Sequence, residues 1–152
     1  MKLEWMASLT FVVMLAGGCS TMGPQAHGPS PGADMIVVRS TAKNPDQVVE
    51  ALKSYSTSQK WAFLGANKVK NGEITMVKVC IPAVGSALWT ANLQLTALLP
   101  CGNISLYSKG GRTEIAMLHP AYMQVLYPGK ETEGAVALAT PQLMAMLDEV
   151  AR

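Results

Sequence analysis

The groups in this chain that carry chemistry are thiols, an imidazole and thioethers. Cys80 lies in "VCIP", Cys101 in "LLPCGN", and Cys19 near the start of the chain. His119 stands in "MLHPAYM" between Met117 and Met123, and Met76 precedes Cys80 by four residues. Four uses suit Cys80 and Cys101. An oxidising compartment favours a disulfide between them. Burial would use both as small apolar side chains at tight corners beside Pro82 and Pro100. Together with His119 and the methionines they are soft ligands suited to Cu(I). A reactive thiolate would need a neighbouring cation or base, for which Lys78 and His119 are the candidates. The last two uses lack supporting pattern. There is no Cys-x-x-Cys, no His pair at helical spacing, no Met-rich repeat, no Ser-His-Asp pattern and no paired-carboxylate motif. The glycines of "SKGGRTE" are not followed by Lys-Ser/Thr, so they form a turn and not a phosphate loop. No metal site and no cofactor is implied, and the reading leans away from an enzyme.

The elements that must position these residues follow from pattern. "MIVVRS" is a β-rich run. Asn44 and Pro45 open a helix whose Val48, Val49 and Leu52 share one face. "WAFLGANKV" and "EITMVKVCIP" are strands joined through Asn71-Gly72, a strong hairpin signal. Alternation puts Val77, Val79 and Ile81 on one face, and Met76, Lys78 and Cys80 on the other. "SALWTANLQLTALL" reads as one amphipathic helix with Leu88, Ala91, Leu95, Leu98 and Leu99 as its stripe. A second hairpin turns at Gly110-Gly111. The tail from Glu131 is helical, with Pro141 expected to break it after Thr140. The order is βαββαββα, an α+β class with a mainly antiparallel sheet and helices on one face. The other face must stay wet or be covered, and packing on a second copy is one solution. A helix of about 13 residues between Cys80 and Cys101 carries the chain roughly 20 Å. A disulfide needs Cα atoms within about 7 Å. That geometry places buried free thiols slightly ahead of the disulfide.

Composition bounds the rest. The chain has 152 residues, 49% of them hydrophobic and 6% aromatic, with a net charge of +2. It suits one folded domain, and it shows no basic stripe with stacking residues, so nucleic acid is not an expected partner. At the N-terminus, "MKLEWMASLTFVVMLAGGCS" has Lys2 before an apolar run and small residues before Cys19. The run is too short to span a bilayer comfortably, which fits a signal segment. "LAGGC" resembles the bacterial lipobox, with residues 1–18 as the lipoprotein signal peptide and Cys19 as the lipidated new N-terminus. Ser20, not Asp, follows Cys19, which resembles outer-membrane sorting in enteric-type bacteria. Residues 19–34 are rich in Gly, Pro and Ser and read as a tether, and His27 within them is given no role. The expected location is the bacterial cell envelope, lipid-anchored through Cys19 in the outer membrane and facing the periplasm.

The stretch with Cys80-Ile81-Pro82, then a helix, then Leu98-Leu99-Pro100-Cys101 and a hairpin closing on Pro120 resembles domain of unknown function family 302. The resemblance covers residues 35–152. It implies a TATA-binding-protein-like α+β fold and a homodimer, and no reaction. That family usually has Asn between the Cys and Pro, where this chain has Ile81. The functional expectation is a non-enzymatic envelope lipoprotein whose domain binds a partner or small ligand. The alternative is a periplasmic thiol-redox or copper protein using Cys80 and Cys101.

Overall fold

The structure, a computed structural model, describes residues 35–98 and 102–152. The expected signal peptide, the tether, Cys19 and Cys101 lie outside the described residues.

Five strands form one antiparallel sheet in the order β1-β5-β4-β3-β2. They are β1 (Ile36–Thr41), β2 (Ala62–Val69), β3 (Ile74–Cys80), β4 (Gly102–Lys109) and β5 (Arg112–Leu118). The helices are α1 (Pro45–Ser58), α2 (Pro82–Ala91), the short α3 (Tyr122–Leu126) and α4 (Lys130–Ala151). They cover one face of the sheet, so the architecture is the α+β arrangement expected. Val77 and Val79 from β3, Ile104 and Leu106 from β4, and Ile115 and Met117 from β5 are buried beneath them. Val48 and Leu52 of α1, Leu88 of α2, and Leu143, Met146 and Leu147 of α4 complete this core. Each such side chain contributes roughly 1.5–3 kcal/mol when fully buried.

Local signals explain most element ends. Asn44 Oδ1 accepts from Gln47 N at 2.9 Å, and Gln47 Oε1 accepts from Asn44 N at 2.8 Å, a reciprocal cap at the start of α1. At the other end Lys60 is left-handed (φ 57°), Lys60 N donates to Thr57 O, and Trp61 N donates to Ser56 O. This is the Schellman closure with lysine where glycine is usual. The first hairpin turns through Lys70, Asn71 and Gly72, all with positive φ, and the second through Gly110 and Gly111. On β2 the register slips between Phe63 and Gly65, and Leu64 is pushed out into solvent.

Two expectations require correction. The stretch from Ser86 to Leu99 is not one helix: α2 ends at Ala91, and a 3₁₀ turn (Leu93–Leu98) follows. Asn92 makes the break. Its backbone is extended (φ −163°), its N–H closes α2 on Leu88 O, and its Oδ1 accepts from Gln94 N at 2.8 Å. An Asn side chain that bonds nearby backbone competes with helix continuation. Pro141, in contrast, does not break α4, which is continuous to Ala151. Proline removes the donor to the carbonyl four residues back. Here that carbonyl belongs to Ala137, and both residues are on the exposed face, where water can bond it. Thr140 Oγ1 donates to Val136 O, and Gln142 Nε2 donates to Leu138 O, which adds bonds on either side. The helix α3 was not expected. It starts where His119 Nδ1 accepts from Ala121 N at 3.1 Å.

Leu147→Ala should lower unfolding free energy by about 2–5 kcal/mol in chemical denaturation. A loss well below that range would mean that α4 does not seal the core. Lys60→Gly should raise stability by up to about 1 kcal/mol by relieving the left-handed lysine. A destabilised Lys60→Gly variant would contradict the closure described.

Candidate functional site

Cys80 ends β3, half-buried, pairs with Ala62 of β2 and is disulfide-bonded. This corrects the preference for a free buried thiol at that position. The length argument fails because the segment between Cys80 and β4 is α2 plus a 3₁₀ turn, and it brings the chain back: Val79 pairs directly with Gly102. Ile81 is 4% exposed and is the N-cap residue of α2. It makes no side-chain cap bond, and its carbonyl accepts from Val84 N and Gly85 N. An Asn at this position has the side chain to cap the helix. Ile81 instead joins the core, and Pro82 supplies a preset φ for the first helical residue.

His119 follows β5 on the face opposite to Cys80. The alternation that buries Thr113, Ile115 and Met117 puts His119 on the helix side, while Ile74, Met76, Lys78 and Cys80 share the uncovered side. His119 N donates to Met35 O at 2.7 Å, and its Nδ1 accepts from Ala121 N. Those bonds tie β1 to β5 and start α3. Met117 and Met123 are core residues. The structure therefore does not gather Cys80, His119, Met76, Met117 and Met123 at one point. Burial raises the Tyr122 phenol above its ordinary value. Two shallow grooves, of about 550 and 450 Å³, are lined from α1 and α4 and from the Lys70–Ile74 turn. Neither includes Cys80 or His119.

What the strands do gather is the uncovered face of the sheet. Ile36 and Val38 of β1 stand opposite Leu118 and Ala116 of β5. Ile74 of β3 stands opposite Tyr107 of β4 and Val69 of β2. Met76 and Ser105 are paired at its centre. Ile36 is 58% exposed, and Val38, Val69 and Leu118 are exposed as well. Lys109 and Arg112 close this face at the second hairpin, where Arg112 donates to Ser40 Oγ and Ser40 O, and the charges further in are Lys78 and Glu114. Ser105 pairs with Met76 on one side and Ala116 on the other. Lys78 lies two residues from Met76 towards Cys80, and Glu114 lies two residues from Ala116 in the opposite direction. The two sit diagonally about Ser105, with Cα atoms about 16 Å apart from strand spacing and rise. The ion pairs among the described residues are Arg39–Asp148, Lys68–Asp46, Lys70–Glu73 and Arg152–Glu149, so Lys78 and Glu114 take part in none. Alternation in the sequence marks this face on β3. Its continuation across β1 and β5 depends on a register that spacing alone does not show.

Among the described residues, no helix is long and apolar enough to cross a membrane. No curated protein matches this chain. A solved structure described as "Crystal structure of uncharacterized conserved protein DUF302 from Bacillus stearothermophilus" is similar in fold, with a TM-score of 0.70 at 18% identity. The match covers 79% of this chain and 100% of that one. Residues 36–150 match the family described as "Domain of unknown function DUF302", which is most of the chain. By its sequence and its five-stranded antiparallel sheet, the chain belongs to the DUF302 family.

Proposed function

We propose that this chain is a lipid-anchored envelope protein that acts by association through its uncovered sheet face, with a second copy as the partner. The diagonal placement of the unpaired Lys78 and Glu114 about Ser105 carries this reading. A twofold axis lying along the face near Ser105 exchanges the two positions. In a face-to-face pair each Lys78 then meets the Glu114 of the other copy, as an isologous interface requires. Five strands at about 4.8 Å and seven residues at about 3.3 Å give a face of roughly 24 by 23 Å. Two such faces bury about 1,000 Å², near the lower bound for a specific interface. The apolar side chains around Ile36, Val38 and Leu118 supply the desolvated part, and the charges fix orientation. Anchoring rests on "LAGGC" at Cys19 and places the domain at the outer membrane, facing the periplasm. The thiol-redox and copper alternative gains no support, since Cys80 is in a disulfide and His119 is on the other face.

The partner of Cys80 we assign to Cys101. The chain's other cysteine is Cys19, whose sulfur the lipid would occupy. Cys80 follows Val79 and Cys101 precedes Gly102 in sequence, and Val79 and Gly102 are paired across β3 and β4. Closing a loop of about 20 residues with a disulfide stabilises by roughly 3 kcal/mol.

Sedimentation of residues 20–152 should show a dimer that Lys78→Glu weakens and that Lys78→Glu with Glu114→Lys restores. A monomer at all concentrations would end the self-association reading. Peptide mapping of protein from the periplasm without reduction should give one linked peptide pair joining Cys80 and Cys101. Recovery of Cys101 as a free thiol would refute the assignment.

A further inference from the structure

The described chain begins at Met35, and Met35 O accepts from His119 N at 2.7 Å. Residues 1–34 therefore join the domain beside the turn that opens α3. That helix buries Met123 but leaves Val125 and Leu126 exposed, Leu126 by 59%, and the exposed Tyr127 follows it. Tyr127 Oη accepts from Asn92 Nδ2 at 3.2 Å, which brings the end of α2 to the same place. Next to Asn92, Leu93 is 73% exposed, and Trp89 is exposed one turn earlier on α2. Leu93, Val125, Leu126 and Tyr127 thus lie at the end of the domain where residues 1–34 attach, with Trp89 one turn back along α2, its indole beside Gly85.

We propose that this rim rests on the lipid bilayer to which Cys19 is anchored, at the boundary between headgroups and acyl chains. The proposal depends on the lipid-anchor reading and adds an orientation to it. Three observations favour a lipid surface as the occupant. The rim is at the attachment end of the chain, so an anchored Cys19 presents it to the membrane first. In sequence 15 residues, 20–34, separate Cys19 from Met35, which limits how far an anchored Cys19 can lie from the rim. Trp and Tyr combine an apolar body with a polar group and favour the membrane–water boundary, while Leu and Val enter the apolar side. The uncovered sheet face is formed by other residues, so the rim can meet lipid while that face meets a second copy.

The test uses the full chain made in a lipoprotein-processing bacterium and reconstituted into vesicles of phosphatidylethanolamine and phosphatidylglycerol that carry brominated acyl chains. Tryptophan emission should be quenched relative to unbrominated vesicles. The quenching should be lost in Trp89→Phe, and largely lost in Leu93→Ser with Leu126→Ser, whose exposed positions leave the core intact. Intact mass is measured on the same samples. An acylated protein whose Trp89 is not quenched overturns the rim proposal and leaves anchoring standing. A protein without acyl mass overturns the anchor reading and this proposal together. Shielding of Trp89 from a water-soluble quencher that grows with protein concentration, without lipid quenching, would make the rim a protein contact and also overturn the proposal.

Discussion

The pairing of β3 with β4 is the constraint on which the molecule depends. Val79 opposite Gly102 closes the excursion through α2 and its 3₁₀ turn. The same register sends Val77, Val79, Ile104 and Leu106 into the core together. Because side chains alternate with period two, a slip by one residue on either strand would turn that strand's set outward. The register also decides what lies on the bare side: Met76 against Ser105, Lys78 against Asn103, and Cys80 at the end. Core, disulfide position and open surface are three results of one pairing.

Much of the fold was legible in the sequence because its signals were local. The Asn44 cap, Asn71-Gly72 and Gly110-Gly111 each act within four residues, and the structure uses all three. The failures were cases in which a residue's effect depended on what faced it. Asn92 falls on the polar side of the helical pattern by spacing, but its side chain accepts from Gln94 N and donates to Tyr127 Oη instead. Pro141 is harmful in a buried helix, but here it lies on the wet side, which spacing alone did not weigh. For the candidate site, the sequence placed Met76, Lys78 and Cys80 on one face correctly. It carried no information about how far His119 lies from them, because that depends on the parity of a strand two places away in the sheet.

Membership of the DUF302 family and likeness to a solved DUF302 fold establish architecture, and architecture alone does not choose an activity. What the chain adds to that architecture is legible in how its surface is divided. One face of the sheet is covered by α1, α2 and α4, and the other shows aliphatic side chains in paired rows, with Lys78 and Glu114 placed about a centre and Lys109 and Arg112 at the hairpin end. A separate apolar rim surrounds α3. His119, first met as a candidate ligand, serves as a joint between β1, β5 and α3 through three backbone groups.

The irregularity in β2 bears on what kind of assembly this protein can enter. β2 is an edge strand, and an intact edge offers a continuous row of donors and acceptors to any other extended chain. With Leu64 extruded and the register displaced between Phe63 and Gly65, that row is interrupted near its start. A strand that docked there would lose its match after a few residues, so the sheet resists lengthening across this border. Stacking on the flat side needs no such match, since each copy keeps its own ladder. Crowded in two dimensions, the protein is thereby biased towards closed, countable assemblies and away from fibres.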